Sequence, residues 1–154
     1  MAKELAGQVA LITGGGRGFG KAIALRLAAE GASVAITSRT QDEINQTESE
    51  ISAAGGSGLA VRGDVTRFED VEHVVRAATE KFGPITLLIN NAGIPGPFAP
   101  TWAADPDEWW FAQEVHTRAF FMFVRGVLPS MIERGAGRII AVSAIASYRV
   151  DFAM

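Results

Sequence analysis

Hydrophobic and polar positions along the chain follow two alternating rhythms. Residues 8–13 (QVALIT) form a short apolar run that stops at a cluster of glycines, and residues 21–30 (KAIALRLAAE) follow with apolar positions at helical spacing up to Gly31. The same sequence of run and helix repeats. Residues 33–37 (SVAIT) read as a strand and 42–54 as a helix ended by Gly55 and Gly56; residues 58–62 (GLAVR) read as a strand and 68–82 (FEDVEHVVRAATEKF) as a helix ended by Gly83 and Pro84. Residues 86–89 (TLLI) make a fourth strand. Asp105, Pro106 and Glu108 carry the marks of a helix start, which predicts one long helix to about Arg134, and residues 137–143 (GRIIAVS) make a fifth strand. Strands that are apolar throughout and alternate with helices predict an α/β fold, a doubly wound parallel sheet of Rossmann type with helices on both faces. Residues 93–104 (GIPGPFAPTWAA) form a proline-rich loop after the fourth strand, at the edge of such sheets where ligands bind.

Composition narrows the classes. At 154 residues, one domain over 1–154 is the natural count, and such a chain buries about 70% of the surface its unfolded form exposes. With no cysteine, disulfide frameworks, thiolate nucleophiles and cysteine-ligated metals are excluded, and a cytoplasmic setting is the expectation. No metal site is expected. A net charge of −3 without a basic run gives no footprint for nucleic acid. The longest apolar stretches, 120–124 and 139–142, fall far short of the roughly 20 residues that span a bilayer, and residues 1–7 lack the apolar core of a signal peptide.

Residues 13–20 (TGGGRGFG) lie between the first strand and the first helix. In that setting Gly14 and Gly18 let backbone approach a pyrophosphate, Gly20 lets the helix pack tightly on the strand, and the helix N-terminus turns its free N–H groups to the phosphates. Gly16, Arg17 and Phe19 complete the candidate cofactor loop. Two other readings compete: an unliganded turn, and a triphosphatase phosphate loop through Gly15, Gly20 and Lys21. The second lacks the hydroxyl that should hold magnesium, because Ala22 follows Lys21. At the end of the second strand, where an acidic residue would bond the ribose hydroxyls of NAD, the chain has Ser38 and Arg39. Ser38 removes a carboxylate that would repel a 2′-phosphate, and Arg39 offers a planar cationic fork to bind one, with Arg17 as a second cation. NADP (NADPH) is the expected cofactor and NAD the alternative; a solvated Arg39 opening the next helix is the competing explanation.

Together the glycine loop, Asp64-Val65 after the third strand, Asn90-Asn91-Ala92-Gly93 after the fourth and Gly137-Arg138-Ile139-Ile140 opening the fifth resemble the short-chain dehydrogenase/reductase family. The resemblance covers about residues 6–143, the cofactor-binding part of such an oxidoreductase. It implies that Asp64 and Val65 contact the adenine, that Asn91, Ala92 and Gly93 lie along the adenosine ribose, and that Asn90 braces the central strands. It also implies hydride transfer between NADPH and a small-molecule carbonyl or alcohol substrate. There a tyrosine donates the proton, a lysine four residues later lowers its pKa, a serine orients the substrate and an asparagine on the fourth helix holds a water.

The sequence departs from that apparatus. His116 stands at the asparagine position, where imidazole can hold a water or relay a proton, or serve only the helix. The serine position falls on Ser143-Ala144, leaving Ser143 as a neighbour of the catalytic position. The single tyrosine, Tyr148, is followed four residues later by Phe152, and the only lysines are Lys3, Lys21 and Lys81. The catalytic Tyr and Lys are therefore absent, and the chain is expected to be a fragment, truncated after the fifth strand and inactive alone. A non-catalytic NADP-binding or subunit-association module is the competing reading. Phe120, Phe121, Phe123 and Val124 give the fourth helix an apolar surface, which by resemblance implies a homo-oligomer through that helix. Trp102, Trp109 and Trp110 line a substrate cleft or serve packing.

Overall fold

The computed structural model describes residues 3–144. The apolar runs become β1 (Val9–Thr13), β2 (Ser33–Ser38), β3 (Ser57–Arg62), β4 (Leu87–Asn90) and β5 (Arg138–Ala141). They pair in parallel in the order β3-β2-β1-β4-β5. The helices are α1 (Gly18–Ala29), α2 (Gln41–Ala53), α3 (Phe68–Phe82), α4 (Pro106–Gln113) and α5 (Ala119–Glu133). The chain winds outward from β1 to β3, then returns to lay β4 on the other side of β1. That reversal opens a crevice at the C-terminal ends of β1 and β4, where ligands bind in sheets of this class.

Register sets the two layers. Leu11 pairs with Ala35 and Leu88, and all three turn to one face, where they pack with Val71, Val74 and Ala78 of α3 and Ala119, Met122, Phe123 and Val127 of α5. Their neighbours Ala10, Ile12, Val34 and Ile36 turn to the other face, against Ala24 and Ala28 of α1 and Ile44 and Ile51 of α2. In α1 the buried positions Gly20, Ala24 and Ala28 recur every four residues, so a stripe of small residues lies on the sheet, flanked by the partly buried Ile23, Leu25 and Leu27. Each large apolar side chain buried in these layers contributes about 1.5–3 kcal/mol.

Three expectations are corrected. Helix α1 starts at Gly18, three residues earlier than the apolar spacing predicts, because the first turn, Gly18, Phe19 and Gly20, carries no helical pattern of apolar positions. The predicted long helix holds a π-helical stretch, Glu114–Arg118, between α4 and α5; hydrophobic spacing does not register the wider turn. Phe123, expected on an outer apolar surface, is core at 1% exposure, while Phe121 is exposed. Cover on both faces is complete over the central strands, whereas Ile140 of β5, opposite Ile89, stays exposed among the described residues.

Candidate functional site

One cleft opens at the crevice between β1 and β4. Its wall takes in Gly14, Gly16 and Arg17 from the glycine loop, Ser38 and Arg39 after β2, Asp64 and Val65 after β3, and Asn91, Ala92 and Gly93 after β4. The parallel sheet brings these four segments together because each follows a strand at the same edge. Thr40, Glu43, Gly63, Ile94 and Val115 complete the wall and were not singled out by sequence. Val115 adjoins His116. Thr40 and Glu43 have the form of a helix-capping pair, which hides their place in a cleft.

The glycine loop is held by a buried hub. Thr13 Oγ1, fully buried, accepts the N–H groups of Asn91 at 3.0 Å and Ala92 at 2.9 Å and donates to Asn90 Oδ1 at 3.3 Å. Asn91 Nδ2 in turn donates to the carbonyls of Thr13 at 3.1 Å and Gly14 at 3.2 Å. The amide of Asn91 is therefore committed to the loop.

Gly18, Phe19 and Gly20 form the first turn of α1, and Phe19 stands 78% exposed. Gly18 has a φ of +55°, a conformation that costs other residues about 1–2 kcal/mol. Gly20 is required for space: a Cβ there would collide with the Gly14 carbonyl and lie 2.5 Å from Asn91 Nδ2. The N-cap of α1 is Arg17, whose side chain makes no capping bond. The first-turn N–H groups thus lack helical partners and carry the positive end of the helix dipole.

Charges around the cleft are mixed. The side chains of Arg17 and Arg39 make no hydrogen bond or ion pair with the described residues. The Arg39 carbonyl accepts from Arg62 Nε at 3.1 Å. Ser38 Oγ is occupied by the turn into α2, accepting from the Thr40 N–H at 3.2 Å. Asp64 Oδ1 accepts from the N–H and hydroxyl of Thr66 at 2.9 and 2.8 Å, so its carboxylate stays in place on the wall. Lys21 is drawn away from the glycine loop by Glu50 of α2, 2.8 Å from its Nζ. A triphosphatase loop needs that lysine on the phosphates, so this pair counts against that reading.

At the other end, the His116 ring nitrogen Nε2 lies 2.7 Å from the Ile94 carbonyl and therefore donates to it. The ring packs beside Gly93, where a Cβ would lie 3.0 Å from its Cε1. Ser143 follows β5 at the same sheet edge, since Val142 donates its N–H to the Asn90 carbonyl at 2.9 Å. Tyr148 lies outside the described residues. Trp102, Trp109 and Trp110 are exposed and take no part in the cleft wall, although the Trp109 and Trp110 rings meet at a tilt of 37° with centroids 6.2 Å apart. Among the described residues no cluster of three or more His, Asp or Glu side chains can hold a metal ion, and no helix is long and apolar enough to cross a membrane.

The glycine loop, the uncapped helix N-terminus and the two unpaired guanidiniums on the cleft wall are donors of the kind that suit a phosphate-bearing ligand. Residues 8–153 match the family model for short chain dehydrogenases, and the chain belongs to that family. It is 37% identical over 144 residues to a short chain dehydrogenase of Pseudocercospora fijiensis, spanning 92% of this chain and 46% of that protein. Its fold superposes on NAD+-bound xylitol dehydrogenase with a TM-score of 0.93 at 30% identity, covering 98% of this chain and 58% of that one. A metagenomic short-chain oxidoreductase in complex with NADP superposes with a TM-score of 0.89 at 34% identity, covering 96% and 66%. The chain spans about half the length of the curated relatives it matches.

Proposed function

We propose that residues 1–154 form a single nicotinamide-dinucleotide-binding domain, with NADP preferred over NAD. In this reading the domain serves an oxidoreductase that moves hydride between NADPH and a carbonyl or alcohol. The observation that carries the cofactor preference is the pair of unpaired guanidiniums, Arg17 and Arg39, on a wall where β2 ends in Ser38. Arg39 supplies a bidentate fork for a 2′-phosphate and Arg17 a second charge. The backbone of Gly14, Gly16 and Gly18 and the first-turn N–H groups of Gly18, Phe19 and Gly20 bind the pyrophosphate. Gly20 keeps α1 close enough for this. Asp64 and Val65 hold the adenine, and the backbone of Asn91, Ala92 and Gly93 lies along the ribose. His116 orders the far end through Ile94, and Ser143 stands near the substrate edge.

The bound dinucleotide supplies the hydride. Proton transfer to the substrate oxygen needs an acid that the sequence does not contain in the form of Tyr-x-x-x-Lys. The 154 residues by themselves therefore bind cofactor without turning over. A second reading is a non-catalytic NADP-binding or subunit-association module. Phe121, Leu128 and Ile132 stand exposed on α5 and favour pairing of subunits there.

The test is fluorescence titration of the purified chain with NADPH and NADH. NADPH binds more tightly, and Arg39→Gln reduces that advantage about tenfold, the loss of a charge-assisted contact worth about 1.5 kcal/mol. Equal affinity for the two nucleotides, unchanged by Arg39→Gln, refutes the preference.

A further inference from the structure

Thr40, Gln41, Asp42 and Glu43 have the sequence of a capping box, in which the Glu43 carboxylate would reach back to the Thr40 N–H. The structure gives that N–H to Ser38 Oγ, 3.2 Å away, and Ser38 donates in return to the Thr40 carbonyl at 3.1 Å. Helix α2 consequently has no side-chain cap, and Glu43 is released from the helix end. Its carboxylate finds no hydrogen bond or ion pair among the described residues. It turns toward the glycine loop instead: a Cβ on Gly16 would lie 2.8 Å from Glu43 Cβ and 3.2 Å from its Oε2. Thr47, one turn further along α2, bonds the Gly16 carbonyl at 3.4 Å and fixes the helix against that loop. Glu43 is thus a half-buried carboxylate without a partner, on the wall it shares with Arg17, Ser38 and Arg39.

A carboxylate accepts hydrogen bonds only. Toward an unphosphorylated adenosine ribose it is an acceptor for hydroxyls; toward a 2′-phosphate, carrying about −1.5 to −2 charges, it is repulsive. Arg17 and Arg39 act in the opposite sense. We propose that Glu43 is a cofactor-selectivity residue: from the first turn of α2 it favours NAD and limits the preference for NADP that the two arginines establish. It does from a helix what an acidic residue at the end of the second strand does in NAD-binding sheets. The inference rests on the dinucleotide reading of the cleft.

Wild type, Glu43→Gln and Glu43→Asp are titrated with NADPH and NADH by fluorescence, with cooperative melting recorded for each. Glu43→Gln is expected to tighten NADPH about tenfold and weaken NADH about threefold, and the NADPH gain shrinks at high salt as the repulsion is screened. Glu43→Asp keeps the charge on the same wall and stays nearer the wild-type ratio. An NADPH-to-NADH ratio in Glu43→Gln within twofold of wild type overturns the role of Glu43 and leaves the cleft reading intact. Wild type that melts cooperatively yet binds neither nucleotide overturns both.

Discussion

The Thr13 hydroxyl is the buried hub behind the glycine loop, and Thr13→Val removes it while keeping the shape of the side chain. The hydroxyl serves two backbone N–H groups, those of Asn91 and Ala92, in a fully buried position. Valine leaves both donors without a partner. Each orphaned donor costs about 1–3 kcal/mol, and the two share one environment, so the expected loss is about 2–5 kcal/mol. With a urea m-value of about 2 kcal/mol/M, the unfolding midpoint falls by about 1–2.5 M. Thr13→Ser provides the contrast, since it keeps the hydroxyl and loses one methyl, for about 1 kcal/mol and about 0.5 M. NADPH affinity falls further in Thr13→Val than in Thr13→Ser, because Asn91, Ala92 and Gly93 line the cleft. Equal loss of stability in the two variants, or a loss below about 1 kcal/mol in Thr13→Val, refutes the hub as an energetic element.

Gly20→Ala places a methyl against the Gly14 carbonyl and Asn91 Nδ2, where backbone must move; a loss of at least about 1–3 kcal/mol in urea unfolding, together with weakened NADPH binding, is expected. Gly18→Ala meets no atom within 4 Å and loses only about 1–2 kcal/mol for its φ of +55°; a costlier Gly18→Ala than Gly20→Ala contradicts the assignment of space to Gly20. The Lys21 hydrogen bond, then that from Gln46, hold the Glu50 carboxyl below its ordinary value of 4.5. A lowered folded-state pKa favours folding while Glu50 is ionised, so the contribution is complete above 4.5 and is lost as pH falls from there through the folded value. Glu50→Gln accordingly melts below wild type at neutral pH, the gap closing in acid and shrinking with salt; a gap that does not change with pH refutes the pairing.

How the sequence relates to the structure differs from element to element. The helix at Phe68–Phe82 was legible to the residue, because Val71, Val74 and Ala78 mark one face and Gly83 ends it. At Asp105 the cap is also as expected, accepting the N–H groups of Asp107 at 2.8 Å and Glu108 at 3.1 Å. These features depend on residues near in sequence. The π-helical stretch around His116 was not legible, since the wider turn leaves no mark on hydrophobic spacing and His116 meets Ile94, 22 residues away.

The sequence by itself determined the doubly wound class and the four strand-ending segments that meet at the cleft. Periodicity, glycine placement and side-chain chemistry are local, and a parallel sheet converts their order into a common edge. Only the tertiary structure decided which polar groups are already occupied. Ser38 belongs to a turn, Asn91 to the glycine loop and Lys21 to Glu50, while Glu43, which reads as a helix cap, is free to face the cleft. A hydrogen-bonding group has few valences, and whether one remains for a ligand depends on neighbours that folding brings from distant parts of the chain.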